Sequence, residues 1–170
     1  NGKLYIDLAD TDWSVIEISK EGWKFLTASP VKFLRSSSSQ SLPYPEKGGT
    51  LNDLWPLINI RAEDRPLIAG FFVRAISPNP PYLGLCINGE QGTAKSTLTK
   101  IVRSFCDPST AMLRPPPKDE RDFLAGAVNN WCIAYDNLSG MPDWLSDALC
   151  RLLTGGAFAA RTLYSTTEET

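Results

Sequence analysis

Apolar residues recur along the chain with two different periods, and the change of period divides it. Over residues 3–35 the apolar runs are short, KLYIDL, SVIEIS, WKFLTA and VKFLR, and in the second Ser14, Ile16 and Ile18 alternate with Val15, Glu17 and Ser19. Alternation of that kind places successive side chains on opposite faces of a strand. Turn signals separate the runs at residues 9–12, 20–22 and 29–30, so the segment reads as a small antiparallel meander. Its aromatics, Tyr5, Trp13, Trp23, Phe25 and Phe33, read as the core and edge of that sheet; a stacking surface for bases is the alternative use of the same rings. Residues 36–49, rich in Ser, Pro and Gly, read as a linker or mobile loop.

Beyond residue 50 the spacing becomes helical. Thr50, with Asp53 three residues on, has the form of a capped helix that Pro56 keeps short. A longer helix follows, with Asp64 as N-cap, Pro66 in the first turn, and Leu67, Ile68, Phe71, Phe72, Ala75 and Ile76 as its apolar stripe, until Pro78, Pro80 and Pro81 break the chain. Leu98, Ile101, Val102 and Phe105 stand at i, i+3, i+4 and i+7 ahead of Asp107-Pro108, and Asp119 caps a helix carrying Phe123, Leu124, Ala127 and Val128. The last helix spans 143–154, with Trp144, Leu145, Ala148, Leu149, Leu152 and Leu153 on one side and Gly155 as its stop. Between these helices the apolar runs 83–88, 112–113 and 131–136 read as strands, and TGGAFAARTLYSTTEE at the end reads as a loop and a strand or hairpin. The predicted division is residues 1–49, meander and linker, and residues 50–170, an α/β unit.

The run 83–88 leads into GEQGTAKST, which opens the helix of Leu98. A phosphate-binding loop requires that order: backbone N–H groups must curl around an anion, and a helix N-terminus must add its positive end. Gly89 and Gly92 supply the freedom, Lys95 the cation for the terminal phosphates and Ser96 a hydroxyl for magnesium; Glu90, Gln91, Thr93, Ala94 and Thr97 complete the stretch that wraps the nucleotide. In the pattern G-x-x-x-x-G-K-[ST] the position before the lysine is glycine, and Ala94 stands there, its methyl group narrowing the allowed backbone. Such a loop also needs a second acidic site for magnesium, which Asp136 supplies at the end of an apolar run about forty residues on. Asn137 follows, where many hydrolytic ATPases of this type carry glutamate. An amide cannot take a proton, so either another carboxylate, Glu90, Asp119 or Glu120, activates water or hydrolysis is slow. Arg114 reads as a surface arginine or as one that reaches a phosphate or a neighbouring subunit. Arg151, four residues after Asp147, is explained by an i, i+4 ion pair, and Arg161 is either ordinary surface or faces DNA or the next subunit's nucleotide.

Charge changes what partner is expected. Of the 170 residues, 17 are basic and 19 acidic, a formal charge of −2, with no strongly basic half on either side of Leu83. If nucleic acid is a partner, it is therefore to be held by a local loop or a ring of subunits and not by a globally basic face. With no histidine and four cysteines, none in a Cys-x-x-Cys pair, a zinc site is not expected and the thiols read as reduced and buried. No apolar segment approaches the roughly 20 residues of a membrane span and no export signal opens the chain, so a cytoplasmic protein without membrane association is expected.

GEQGTAKST, the run ending in YDN, and LSDALCRLLTGGAFAARTLY together resemble the ATPase part of phage, plasmid and poxvirus-type primase-helicases of helicase superfamily 3, as in ATP-binding proteins of prophages and mobile elements. The resemblance covers residues 83–169. It implies a P-loop NTPase core of RecA/AAA+-like kind built on a parallel sheet. It also implies ATP and Mg2+ as cofactors, and a homo-oligomeric ring, hexameric in kind, that couples hydrolysis to movement along DNA in replication. By motif it makes Lys95 and Ser96 phosphate and magnesium residues and Asp136 the Walker B carboxylate. Asn137, Arg151 and Arg161 are the remaining catalytic candidates, the arginines completing a neighbour's site. Such cores continue into a further strand ending in a polar sensor residue; Thr170 comes first, so a fragment of a longer chain is expected. Two other readings of the loop stay open: a nucleotide-dependent regulatory or scaffold module without turnover, and a small-molecule kinase, which needs an acceptor pocket and an arginine-bearing lid.

Overall fold

The computed structural model describes residues 2–156. Its first segment is the antiparallel meander, with β1 (Leu4–Asp7), β2 (Val15–Ser19) and β3 (Gly22–Leu26) in the order β1-β2-β3. The register sets Leu4 opposite Ile18 and Ile6 opposite Ile16 in one ladder, and Ile16 opposite Phe25 and Ile18 opposite Trp23 in the other, so one face is apolar throughout. Tyr5, Glu17 and Lys24 lie abreast on the other face. Glu17 is only 6% exposed. It meets Lys24 at 3.0 Å, Lys3 at 3.1 Å and the Tyr5 hydroxyl at 2.9 Å. The Lys24 hydrogen bond leads the interactions that hold its carboxyl down to about 2, against the opposing effect of burial. Of the aromatics, Trp13, Trp23 and Phe25 are exposed and belong to the rim of the sheet, Tyr5 and Phe33 are half-buried, and the buried positions are Val15 and Ile16.

The fourth run, VKFLR, is not a strand. Ser29 closes a turn on Val31 through its hydroxyl, and Leu34 is fully exposed. Arg35 then folds back onto β1, donating to both Asp7 oxygens at 2.7 and 2.6 Å and lying 3.7 Å over the Trp13 ring. The segment after it is tied down at two places. Leu42 N–H donates to the Leu8 carbonyl at 2.9 Å, and Ser39 bridges Ser109 with Thr110 N–H donating to the Ser38 carbonyl at 2.9 Å.

Four helices follow, α1 (Arg65–Ala75), α2 (Lys95–Cys106), α3 (Glu120–Val128) and α4 (Asp143–Thr154). None of the described helices is long and apolar enough to cross a membrane. Residues 51–57 make only the single 3-10 turns Leu51–Asp53 and Trp55–Leu57, since Pro56 has no N–H to continue a helix. Asp64 stands at the N-cap position of α1, but its side chain makes no capping hydrogen bond; its carboxylate accepts from Arg61 at 2.9 Å. Asp119 does cap α3, accepting from Asp122 N–H at 2.8 Å, and Gly155 ends α4 at φ 77°. One core joins Leu54, Ile58, Phe71, Leu98 and Val102 under α1 and α2, and a second joins Phe123, Leu145 and Ala148 between α3 and α4.

The parallel sheet of a P-loop NTPase core, expected from the runs 83–88, 112–113 and 131–136, is absent among the described residues: the only sheet is the three-stranded meander. These runs form no strands, residues 131–132 bend, and the one parallel bridge near them joins Arg114 to Tyr135. Prolines account for part of this. Pro115, Pro116 and Pro117 follow Arg114 and have no N–H to carry a ladder on, and Pro80 and Pro81 lie just ahead of Leu83. Exposure accounts for more, because a parallel strand is covered on both faces, whereas Leu83 is 53% and Trp131 58% exposed.

Candidate functional site

Residues 89–97 form a tight turn running into α2. Gly92 has φ 84° and Ala94 φ 62°, so two left-handed residues within three positions fold the chain back before the helix begins. Gly89 is required for space: a Cβ there would stand 2.9 Å from Thr93 Oγ1. Thr93 Oγ1 in turn donates to the Glu90 carbonyl at 2.8 Å, closing the turn from inside, and Asn59 Nδ2 holds the Thr93 carbonyl from outside at 3.4 Å. Gln91 is exposed on the turn and Thr97 on the first turn of α2. The first helical bond runs from Leu98 N–H to the Ala94 carbonyl at 2.9 Å. The N–H groups of Lys95, Ser96 and Thr97 therefore lie ahead of the helical ladder, at the positive end of the helix dipole.

Lys95 and Ser96, adjacent in sequence, turn to different partners. Lys95 Nζ donates to the Gly89 and Glu90 carbonyls at 2.8 and 2.6 Å, which keeps the ammonium over the turn. Ser96 Oγ reaches across to Asp136, 3.1 and 3.0 Å from its two carboxylate oxygens. Asp136 is placed by the strip that carries it. Arg114 N–H donates to the Ala134 carbonyl and Asp136 N–H to the Arg114 carbonyl, both at 2.9 Å. Asn137 N–H donates to Asp136 Oδ1 at 3.0 Å, and Asn137 itself is left-handed at φ 58°. Asparagine tolerates that region better than other non-glycine residues, a backbone reason for its presence beside Asp136.

The other candidates lie elsewhere. Where spacing points to Asp147, the structure shows the Arg151 guanidinium donating to Glu120 Oε1 at 2.5 Å, which bridges α4 to α3. Sequence spacing favours the nearer carboxylate, but only the packing of α3 on α4 sets which one is reached. Glu120 is thus engaged with Arg151, Asp119 with the start of α3, and Glu90 has its side chain exposed on the turn. Arg114 lies over Gly126, where a Cβ would stand 3.1 Å from its Nη1. Arg161, with the loop and strand or hairpin predicted around it, lies outside the described residues. A residue that sequence patterns do not single out is Arg103, 1% exposed and the largest side chain fully buried. Its place seven residues after Ser96, on the same helical face, is the one signal that points to it.

Ser96 and Asp136 offer a hydroxyl and a carboxylate, hard oxygens of the kind magnesium prefers. Among the described residues there is no cluster of three or more His, Cys, Asp or Glu able to cage a metal. An ion at Ser96 and Asp136 would therefore take its remaining ligands from water and phosphate, the usual condition of magnesium. The donor set fits a magnesium–nucleotide complex.

A family model described as actinomycete integrative conjugative element replication protein matches residues 51–169. No curated protein and no solved structure matches the chain.

Proposed function

The chain belongs to the actinomycete integrative conjugative element replication protein family, a family of mobile-element replication proteins, and we propose that it contributes the ATP-binding part of that replication machinery. The observation that carries this reading is the meeting of Ser96 with Asp136 across 40 residues of sequence, at the foot of a helix whose preceding turn holds Lys95 over its own carbonyls. Lys95 exchanges its carbonyl partners for phosphate oxygens, which as charged acceptors bind an ammonium more strongly. The N–H groups at the start of α2 receive another phosphate oxygen. Ser96 and Asp136 hold magnesium, which when bound neutralises charge on the β and γ phosphates. Assembled as a homo-oligomeric ring on DNA, the protein would use hydrolysis to drive a replication helicase.

Asn137 favours a second reading, a nucleotide-binding module without turnover. Its side chain cannot act as a base, and its N–H is spent on Asp136. The two readings part in one experiment on the full-length protein. The motor reading expects ATP turnover that Lys95→Ala abolishes, and the module reading expects ATP binding, lost in Lys95→Ala, with no turnover in either protein. ATP binding unchanged by Lys95→Ala would sink both.

A further inference from the structure

Ser96 and Arg103 lie on one face of α2, two turns apart, and both reach toward the strip that ends at Asp136. Ser96 makes the first corner of the contact, at Asp136. The second corner is at the other end of the helix. Arg103 is buried and donates to the Ala111 carbonyl at 2.9 Å, the Met112 carbonyl at 3.1 Å, the Asp107 carbonyl at 3.2 Å and Asn130 Oδ1 at 2.8 Å. Its guanidinium also lies 3.6 Å from Asp107 Oδ2, and that same oxygen accepts from Cys132 N–H at 2.9 Å. Arg103 and Asp107 therefore grip both segments at once, 111–112 directly and 130–132 through Asn130 and Cys132. Beyond the grip the two segments are joined by the Arg114–Tyr135 bridge, and the next residue is Asp136.

From Ser96 to Asp107 the helix rises roughly 16 Å at about 1.5 Å per residue, and the chain from Cys132 to Asp136 spans at most roughly 13 Å at about 3.3 Å per residue. Helix and strip run in opposite directions, pinned at one end by Arg103 and Asp107, so the pin decides where the other end falls. Without a sheet to set strand positions, the strip is held by Trp131, whose Nε1 donates to the Ala75 carbonyl of α1 at 2.6 Å, and by the Arg103–Asp107 cluster, which ties it to α2 itself. The planar fork of an arginine suits this task, since it can satisfy several carbonyls in fixed directions where a lysine cannot.

We propose that Arg103 is a positioning residue for the magnesium site: it sets the separation of Ser96 and Asp136 without touching the ion or the nucleotide. This rests on the reading of Ser96 and Asp136 as magnesium residues. The test uses the full-length protein, titrated with ATP in the presence of magnesium and again with a chelator, as wild type, Arg103→Lys and Arg103→Met. The wild type should bind ATP more tightly with magnesium, and both variants should lose about tenfold of that gain, while binding in chelator stays the same. Amide exchange without nucleotide should quicken at Cys132 and Asp136 and stay unchanged along α4, with Arg103→Lys the milder of the two. A magnesium gain retained in full by a folded Arg103 variant overturns the inference and leaves the ATP reading standing. A wild type that binds no ATP overturns both. Should both Arg103 variants fail to fold, Asp107→Asn takes their place: a reduced gain supports the pin, and an intact gain overturns it.

Discussion

Replacing Ala94 by glycine tests the turn at the foot of α2 with a single methyl group. Ala94 has φ 62° and ψ 26°, squarely left-handed. An L-residue with a Cβ is less stable there by about 1–2 kcal/mol, because the Cβ crowds the following carbonyl oxygen. Glycine escapes that strain, and against the gain stands the extra freedom it gives the unfolded chain, about 0.4–1 kcal/mol. The net expectation is a folded state more stable by about 0.5–1 kcal/mol, a rise in Tm of about 2–4 °C per kcal/mol for a chain of this size. Urea unfolding of the two proteins side by side measures it: the midpoint should rise in Ala94→Gly with the slope unchanged. Ala94→Val gives the opposite sign, since a β-branched residue is a sharper outlier in this region. Ala94→Gly less stable than the wild type, or Ala94→Val equal to it, would show that residue 94 is not left-handed in solution and would refute the reasoning.

Two further expectations concern single groups. Asn137 at φ 58° should accept glycine with little change in unfolding free energy, while Asn137→Glu should lower it by about 1 kcal/mol; a neutral Asn137→Glu in urea unfolding contradicts the backbone explanation of that asparagine. Glu17, with its carboxyl held down from 4.5 to about 2, contributes stability that is complete above its ordinary value and is lost as pH falls from there to about 2. Unfolding midpoints followed by tryptophan fluorescence from pH 6 down to about pH 2 should fall more steeply in the wild type than in Glu17→Gln, and equal slopes would refute the assignment.

The four helices and the antiparallel meander were legible and the lack of a parallel sheet among the described residues was not, for a physical reason. Leu145, Ala148, Leu149 and Leu152 mark one side of α4 through spacing alone, and Gly155 and Asp119 are end signals that act within a turn of where they stand. An apolar run such as 131–136 carries no record of its partner, and whether it joins a ladder depends on neighbours far away in sequence and on the prolines around them. The same distance hid the pairing of Arg151 with Glu120. VKFLR misled because its letters are those of a strand, while Arg35 gains more by closing on Asp7 and Trp13. The approach of Ser96 to Asp136 is one that type and order suggest, and the left-handed backbone at Ala94 and Asn137 is not. Arg103 was hidden because an arginine is read as surface unless its partners are known, and here most are backbone carbonyls that no sequence pattern displays.

The measurement closest to the central claim is ATP binding with and without magnesium in Ser96→Ala, Asp136→Asn and the double variant. Two residues holding one ion form a coupled pair, so each single variant should abolish most of the magnesium-dependent gain in affinity and the double should do little more. Losses that simply add, or a magnesium dependence untouched in Asp136→Asn, would contradict the account.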